Sequence, residues 1–147
     1  MASTSACLSA EEKEALASFW AKLAPEASVV GAEAMFRFLE VCPATKSYFS
    51  HFDLSKGSPD LLSHGEKIVI AIGEGIKDLD NLSTVMIALT ELHTNKLKVA
   101  LEHMKDLICT IMVTLARNYP DDFTPECQYA WKKYLWMLRD VLLSKSS

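Results

Sequence analysis

Two histidines stand where imidazoles could do chemistry. His64 precedes Ile68, Ala71 and Ile72 by four, seven and eight residues, and His93 follows Leu89 and precedes Leu97 by four. Those spacings put each ring on the apolar stripe of a helix. A core histidine satisfied by a hydrogen bond is the ordinary reading of either residue alone. Two of them on successive helices, near Tyr48, Phe49 and Phe52, open a second reading on equal terms: a ligand held between them.

A flat cofactor would account for more of the pattern. It would stack on Phe49, with Ile68, Leu89, Leu92, Leu97, Val99, Met104, Leu107 and Leu142 as walls. Lys67 and His51 are placed to meet acidic groups at its rim. Each aliphatic residue taken singly reads equally as core. Other chemistries lack their residues. Gly73-Glu74-Gly75 has neither the strand nor the Lys-Ser/Thr of a phosphate loop, and no HExxH occurs. The four cysteines, Cys7, Cys42, Cys109 and Cys127, form no CxxC pair, so linear spacing supports neither a zinc site nor a dithiol motif. Cys42, Cys109 and Cys127 read as small core or interface residues.

The elements that must position these side chains read as helices. Ser9 and Glu12 make a capping box ahead of Leu16, Phe19, Trp20 and Leu23, with a stop near Pro25. A second helix is predicted over residues 26–41, and Pro43 opens a short helical turn. Residues 48–57 read as an irregular connection. Ser58-Pro59 restarts a helix reaching residue 78, and others follow over 82–95, 101–119 and 125–143. The expected product is an all-α domain of seven to eight helices: residues 1–8 a short extension, 9–145 the domain, 146–147 a tail.

Composition agrees. Half of the 147 residues are apolar, with only 5 Gly and 5 Pro, which suits one well-filled core. A net charge of −4 without a basic stripe argues against nucleic acid as partner. The longest nearly apolar stretch, residues 107–116, is half of the roughly 20 residues a spanning helix needs. With no basic, apolar leader at its start, the chain is expected to be cytoplasmic and off the membrane.

The segments GAEAMFRF (31–38), PATKSYFSHFDLSKGS (43–58), SHGEKI (63–68), LHTNKLKV (92–99), FTPE (123–126) and VLLSK (141–145) occur in this order. With them the chain resembles the vertebrate globin family, and within it the alpha-type chains of haemoglobin, from Leu8 to Lys145. The resemblance implies a globin fold around haem b (iron protoporphyrin IX). It makes His93 the proximal iron ligand and His64 the distal residue that hydrogen-bonds O2. Phe49 would stack on the porphyrin, and Tyr48, His51 and Lys67 would line its edge and propionates. Ile68 stands where valine is usual and would narrow the ligand pocket. CO and NO become further ligands, and an external reductase is needed to keep the iron ferrous.

The departures bear on assembly. Lys145-Ser146-Ser147 replaces a terminal Tyr-Arg, Ala100-Leu101-Glu102-His103-Met104 replaces Asp-Pro-Val-Asn-Phe, and Ala44 and Ser47 replace threonines. Cooperativity is therefore expected to be weak or absent. Arg37 and Phe123 match residues of the tighter subunit contact, which leaves a homodimer or a globin partner chain open. So are two identities: a divergent globin similar to globin Y, or an unusual haemoglobin chain. Three functions compete at the same iron: reversible O2 transport or storage; NO dioxygenation or nitrite reduction; and a six-coordinate redox or gas sensor in which His64 itself ligates. His103, new beside the expected haem edge, reads as a loop histidine or a propionate partner.

Overall fold

A computed structural model describes residues 8–49, 53–79 and 103–146. Five α-helices lie in these stretches: α1 (Ala10–Leu23), α2 (Ala27–Val41), α3 (Pro59–Lys77), α4 (Met104–Asn118) and α5 (Pro125–Ser146). Two 3-10 segments, Ala24–Glu26 and Pro43–Phe49, flank α2, and no strand occurs among the described residues. The architecture is all-helical, as predicted. The expected helix over 82–95 lies outside the described residues.

The starts follow from local chemistry. The Ser9 hydroxyl accepts from the Glu12 amide at 3.1 Å while the Glu12 carboxylate accepts from the Ser9 amide at 2.8 Å. This satisfies two donors that a helix end leaves orphaned. The same carboxylate pairs with Lys133 on α5 at 3.1 Å, so the cap also ties the two terminal helices together. Lys133 is thus half-buried and paired rather than simply solvated, whereas its neighbour Lys132 is exposed. α3 begins at Ser58, whose buried hydroxyl accepts from the Leu61 amide at 3.2 Å and donates to the Asp53 carbonyl at 2.5 Å. Pro59 at the first helical position loses nothing there, since its missing N–H would have no partner. Pro125 opens α5 in the same way, with the Thr124 hydroxyl accepting from the Cys127 amide. α5 continues to Ser146, three residues past its predicted end.

Packing is organised by one close crossing. α2 and α3 meet at Gly31 and Gly65, backbone against backbone. A β-carbon on Gly31 would be driven into the Gly65 carbonyl, and one on Gly65 into the Gly31–Ala32 peptide. A third glycine, Gly73, gives α3 its seat against the Trp20 ring of α1. α4 then packs on α2, and α5 on α1 and α4.

The larger core cluster joins Leu16, Phe19 and Leu23 of α1, Ile72 and Ile76 of α3, and Trp131, Tyr134 and Leu138 of α5. Phe19 sits at its centre, 5.2 Å from the rings of Tyr119 and Phe123 and 5.6 Å from Trp131. The Tyr134 hydroxyl donates to the Ile72 carbonyl at 2.5 Å, a buried bond between α5 and α3. Burial pushes its acidity far below that of a free phenol. A smaller cluster, Ala32, Met35, Leu39 and Leu61, fills the space between α2 and α3, and Ile68 packs against both. Phe123, matched by the resemblance to a subunit-contact position, is 3% exposed inside the larger cluster of this chain. The turn after α4 folds back, its Phe123 amide donating to the Tyr119 carbonyl, and this carries the ring inward.

Two substitutions test this frame. Gly65→Ala gains about 1 kcal/mol of helix propensity but overpacks a backbone crossing, at a cost of at least about 1–3 kcal/mol. Urea denaturation should therefore show net destabilisation; a stabilised variant would mean that the helices do not touch there. Ser58→Ala removes both the cap and a buried donor, and should lower stability by about 1–2 kcal/mol. A change within about 0.5 kcal/mol, as at an ordinary surface position, would show that α3 is held from elsewhere.

Candidate functional site

The glycine crossing fixes the position of the histidine beside it. Gly65 is locked against α2, so His64, its chain neighbour, leaves α3 at the α2–α3 crossing. Its side chain is half-buried. Ile68 lies four residues on, along the same face, and is half-buried between the two apolar clusters. Lys67, three residues from His64, is exposed. One helix therefore carries a partly sheltered imidazole, an apolar wall and a solvent-facing cation in five residues. The three Gly residues of α3 leave its amphipathic pattern intact, with Leu61, Val69, Ile72 and Ile76 buried.

Leu107 of α4 is brought toward the same region. Leu107 and Ile68 both line a void of about 20 Å³, with Val30, Met35, Ile72 and Leu115 among the other walls. That is room for one water-sized molecule, but apolar walls give a water few hydrogen-bond partners. Tyr48 and Phe49 end the Pro43–Phe49 turn, Met104 opens α4, and Leu142 lies in the last turns of α5. His51, Leu89, Leu92, His93, Leu97 and Val99 lie outside the described residues. The structure thus puts His64, Lys67 and Ile68 on one helix and brings Leu107 to Ile68, and leaves the wall bearing His93 as a sequence expectation.

This half of the site fits a flat amphiphilic macrocycle carrying a metal. Such a group has an apolar body, acidic edge groups and an axial position for an uncharged nitrogen donor or a hydrogen-bond donor. Ile68 and Leu107 suit the body, the exposed ammonium of Lys67 suits the edge, and an imidazole suits the axial side.

Linear reading missed one constellation. Cys42 ends α2, buried, and its thiol donates to the Asp106 carboxylate at 3.4 Å. His103 immediately precedes α4, half-buried, with its ring edge-on to Phe38 at 6.5 Å. Burial first, then the hydrogen bond and charge of Asp106, push the Cys42 thiol up, so that it is held protonated. The expectation that Cys42 is a small apolar filler is corrected to this extent: it is buried, but it is engaged with a carboxylate. His103 stands beside that pair. The nearest sequence signal was the His103-x-x-Asp106 spacing at a helix start; the cysteine lies 61 residues away and no spacing rule reaches it. Cys127 is buried and its thiol is pushed up to about 11, chiefly by burial. Cys109 is exposed, in a surface groove with Phe36, Arg37, Val113 and Arg117. The Arg37 guanidinium in that groove pairs with Glu33 at 2.5 Å and donates to the Thr114 hydroxyl at 3.1 Å.

Comparison with known proteins agrees with this geometry. The model of the Globin family matches residues 32–142. "Hemoglobin subunit alpha-5" of Xenopus laevis is 46% identical over 137 residues, 93% of this chain and 96% of the relative. "Hemoglobin subunit zeta" of Mus musculus is 41% identical over 91% of this chain and 94% of its own length. "Hemoglobin subunit pi" of Gallus gallus is 41% identical over 94% and 97%. With an all-helical architecture, a glycine crossing that seats a half-buried histidine and a match spanning most of its length, the chain belongs to the globin family.

Proposed function

We propose that this globin binds haem b and carries or stores O2 reversibly, with His93 as proximal iron ligand and His64 on the distal side. The observation that carries the reading is the half-buried His64 imidazole, seated by the Gly31–Gly65 crossing on the Ile68 face of α3. Tyr48, Phe49, His51, Lys67, Ile68, Leu89, Leu92, Leu97, Val99, Met104, Leu107 and Leu142 would hold the cofactor. Haem, when bound, supplies a ferrous iron with one coordination position open to a diatomic gas: O2, CO or NO.

The chain's own residues determine how that position is used. His64 holds a proton on its imidazole and offers it as a hydrogen bond to a polar ligand. Such a charge-assisted bond is worth about 1.5–3 kcal/mol, or roughly 10–150-fold in retention of the gas. Ile68 and Leu107 exclude water from the same side, which slows proton delivery and with it the loss of the ferrous state. Lys67, at the rim, would hold an acidic edge group without itself being buried.

The relatives are named as haemoglobin subunits, which supports a carrier over a nitric oxide dioxygenase, a nitrite reductase or a six-coordinate sensor. The same names support assembly with other globin chains. The groove between α2 and α4, with Val41 and Val113 about half-exposed beside Arg37 and Arg117, is the face we assign to that contact. Ala44 and Ser47, exposed on the turn after α2, lack the threonine side chains of alpha-type chains, and weak cooperativity is part of the proposal. So are a cytoplasmic location and dependence on an external reductase. Among the described residues no helix is long and apolar enough to cross a membrane.

The deoxy-ferrous absorption spectrum tests the reading. A five-coordinate spectrum that converts reversibly to a lasting oxy form in air is expected. His64→Leu should keep haem but release O2 roughly 10–150-fold faster, whereas His93→Ala should lose haem. A six-coordinate ferrous spectrum abolished by His64→Leu would replace the carrier with the sensor, and unchanged haem content in His93→Ala would remove the proximal assignment.

A further inference from the structure

Cys42, His103 and Asp106 bring a sulfur, an imidazole nitrogen and a carboxylate oxygen within 4.8 Å of one another. We infer that these three side chains form a second metal site that takes one Zn2+ ion. The donor set selects the metal. A thiolate with an imidazole and one carboxylate suits Zn2+, whereas Ca2+ and Mg2+ take oxygen ligands almost exclusively. Three protein ligands leave a fourth tetrahedral position for water. Ligand atoms around a tetrahedral Zn2+ with bonds of about 2.0–2.3 Å stand roughly 3.3–3.8 Å apart. The trio needs to contract only modestly, within rotamer freedom.

The backbone around the site is already held. The Cys42 amide donates to the Phe38 carbonyl at 2.8 Å, closing α2. The Cys42 carbonyl accepts from both the Thr45 amide at 3.0 Å and the buried Thr45 hydroxyl at 2.7 Å. On the other side, the His103 carbonyl accepts from the Leu107 amide at 2.9 Å, and the His103 side chain is not spent on capping the helix. Cys42 comes from the end of α2 and the other two ligands from the start of α4, so the ion would clamp the two helices where they meet.

Charge and access also suit a divalent ion. On binding, the Cys42 S–H proton leaves to solvent and an S–Zn bond forms. A thiolate, a carboxylate and Zn2+ then sum to zero, which a half-buried pocket accommodates better than a bare dication. Asp106 also lines the surface groove between α2 and α4, which gives the ion a path from solvent.

The test uses the haem-loaded chain with Cys7 and Cys109 changed to Ser, so that these two thiols do not compete. Zn2+ alone is titrated calorimetrically, and the loaded protein is measured by zinc-edge X-ray absorption, which haem iron does not obscure. One Zn2+ per chain is expected, with one sulfur neighbour at about 2.3 Å and nitrogen or oxygen neighbours at about 2.0 Å. Cys42→Ser keeps a hydroxyl for Asp106 but should abolish the sulfur neighbour. His103→Gln and Asp106→Asn should each weaken binding by roughly 100-fold, since even residues that merely support a ligand cost 10–100-fold. Haem content and far-UV circular dichroism, unchanged in all three, separate ligand loss from unfolding. The assignment is overturned by a zinc spectrum without sulfur, by a sulfur neighbour that survives Cys42→Ser, or by Zn2+ affinity in the His103→Gln and Asp106→Asn variants unchanged from that of the parent chain.

Discussion

Everything near the candidate gas site hangs on a contact without side chains. Gly31 and Gly65 let the backbones of α2 and α3 touch, and no other residue type allows it, because a β-carbon on either glycine would enter the opposite peptide. His64 immediately precedes Gly65 in the chain, so the crossing sets the imidazole in place before any cofactor contact is considered. Short elements around α3 serve the same end. Ser58 and Pro59 start it, Trp20 fills the space beside Gly73, and the Tyr134 hydroxyl pins its carbonyl at Ile72 to α5. For the role proposed for His64, one N–H offered in one direction, such a mount matters, since a loosely placed donor would hydrate rather than select a gas.

The apolar clusters complement this mount rather than duplicate it. The larger one, centred on Phe19 and Trp131, is a conventional core holding α1, α4 and α5 together. The smaller one lies under the α2–α3 crossing and is bridged to the first by Ile68. Ile68 therefore has two duties: it joins the clusters, and it stands one turn from His64 facing the proposed ligand. A change at this residue should alter stability and gas binding together. Thr114 shows how polar groups are handled inside. Fully buried, its hydroxyl donates to the Thr110 carbonyl at 2.7 Å and accepts from Arg37, so no unpaired hydroxyl is sealed in.

Much of this was legible in the sequence, for definite reasons. The capping box at Ser9 and Glu12, the Ser-Pro start at 58–59 and the inward stripes of α1 and α3 are short-range signals, and each stands as read. The half-buried position of His64 followed from its four-residue step to Ile68. α1 stops before Pro25, as read, and the 3-10 turn at 24–26 then leads directly into α2, because proline at the start of a turn breaks nothing. What escaped was long-range. The inward seat of Phe123 depends on the turn after α4, whose Phe123 amide donates back to the Tyr119 carbonyl. The Cys42–Asp106 hydrogen bond joins residues 64 apart, beyond any periodicity. Only Gly73 and Gly75 carry a linear reading, as lacking a phosphate-loop pattern; that Gly31 and Gly65 face each other is a property of the assembled helices.

The central claim is that this helical frame holds an iron porphyrin against His93 with His64 opposite. It is tested most directly by adding haemin to the purified, folded wild-type chain. The account predicts saturation at one haemin per chain, with a sharp Soret band that survives gel filtration. A chain with full helical circular dichroism that emerges from the column colourless would contradict it.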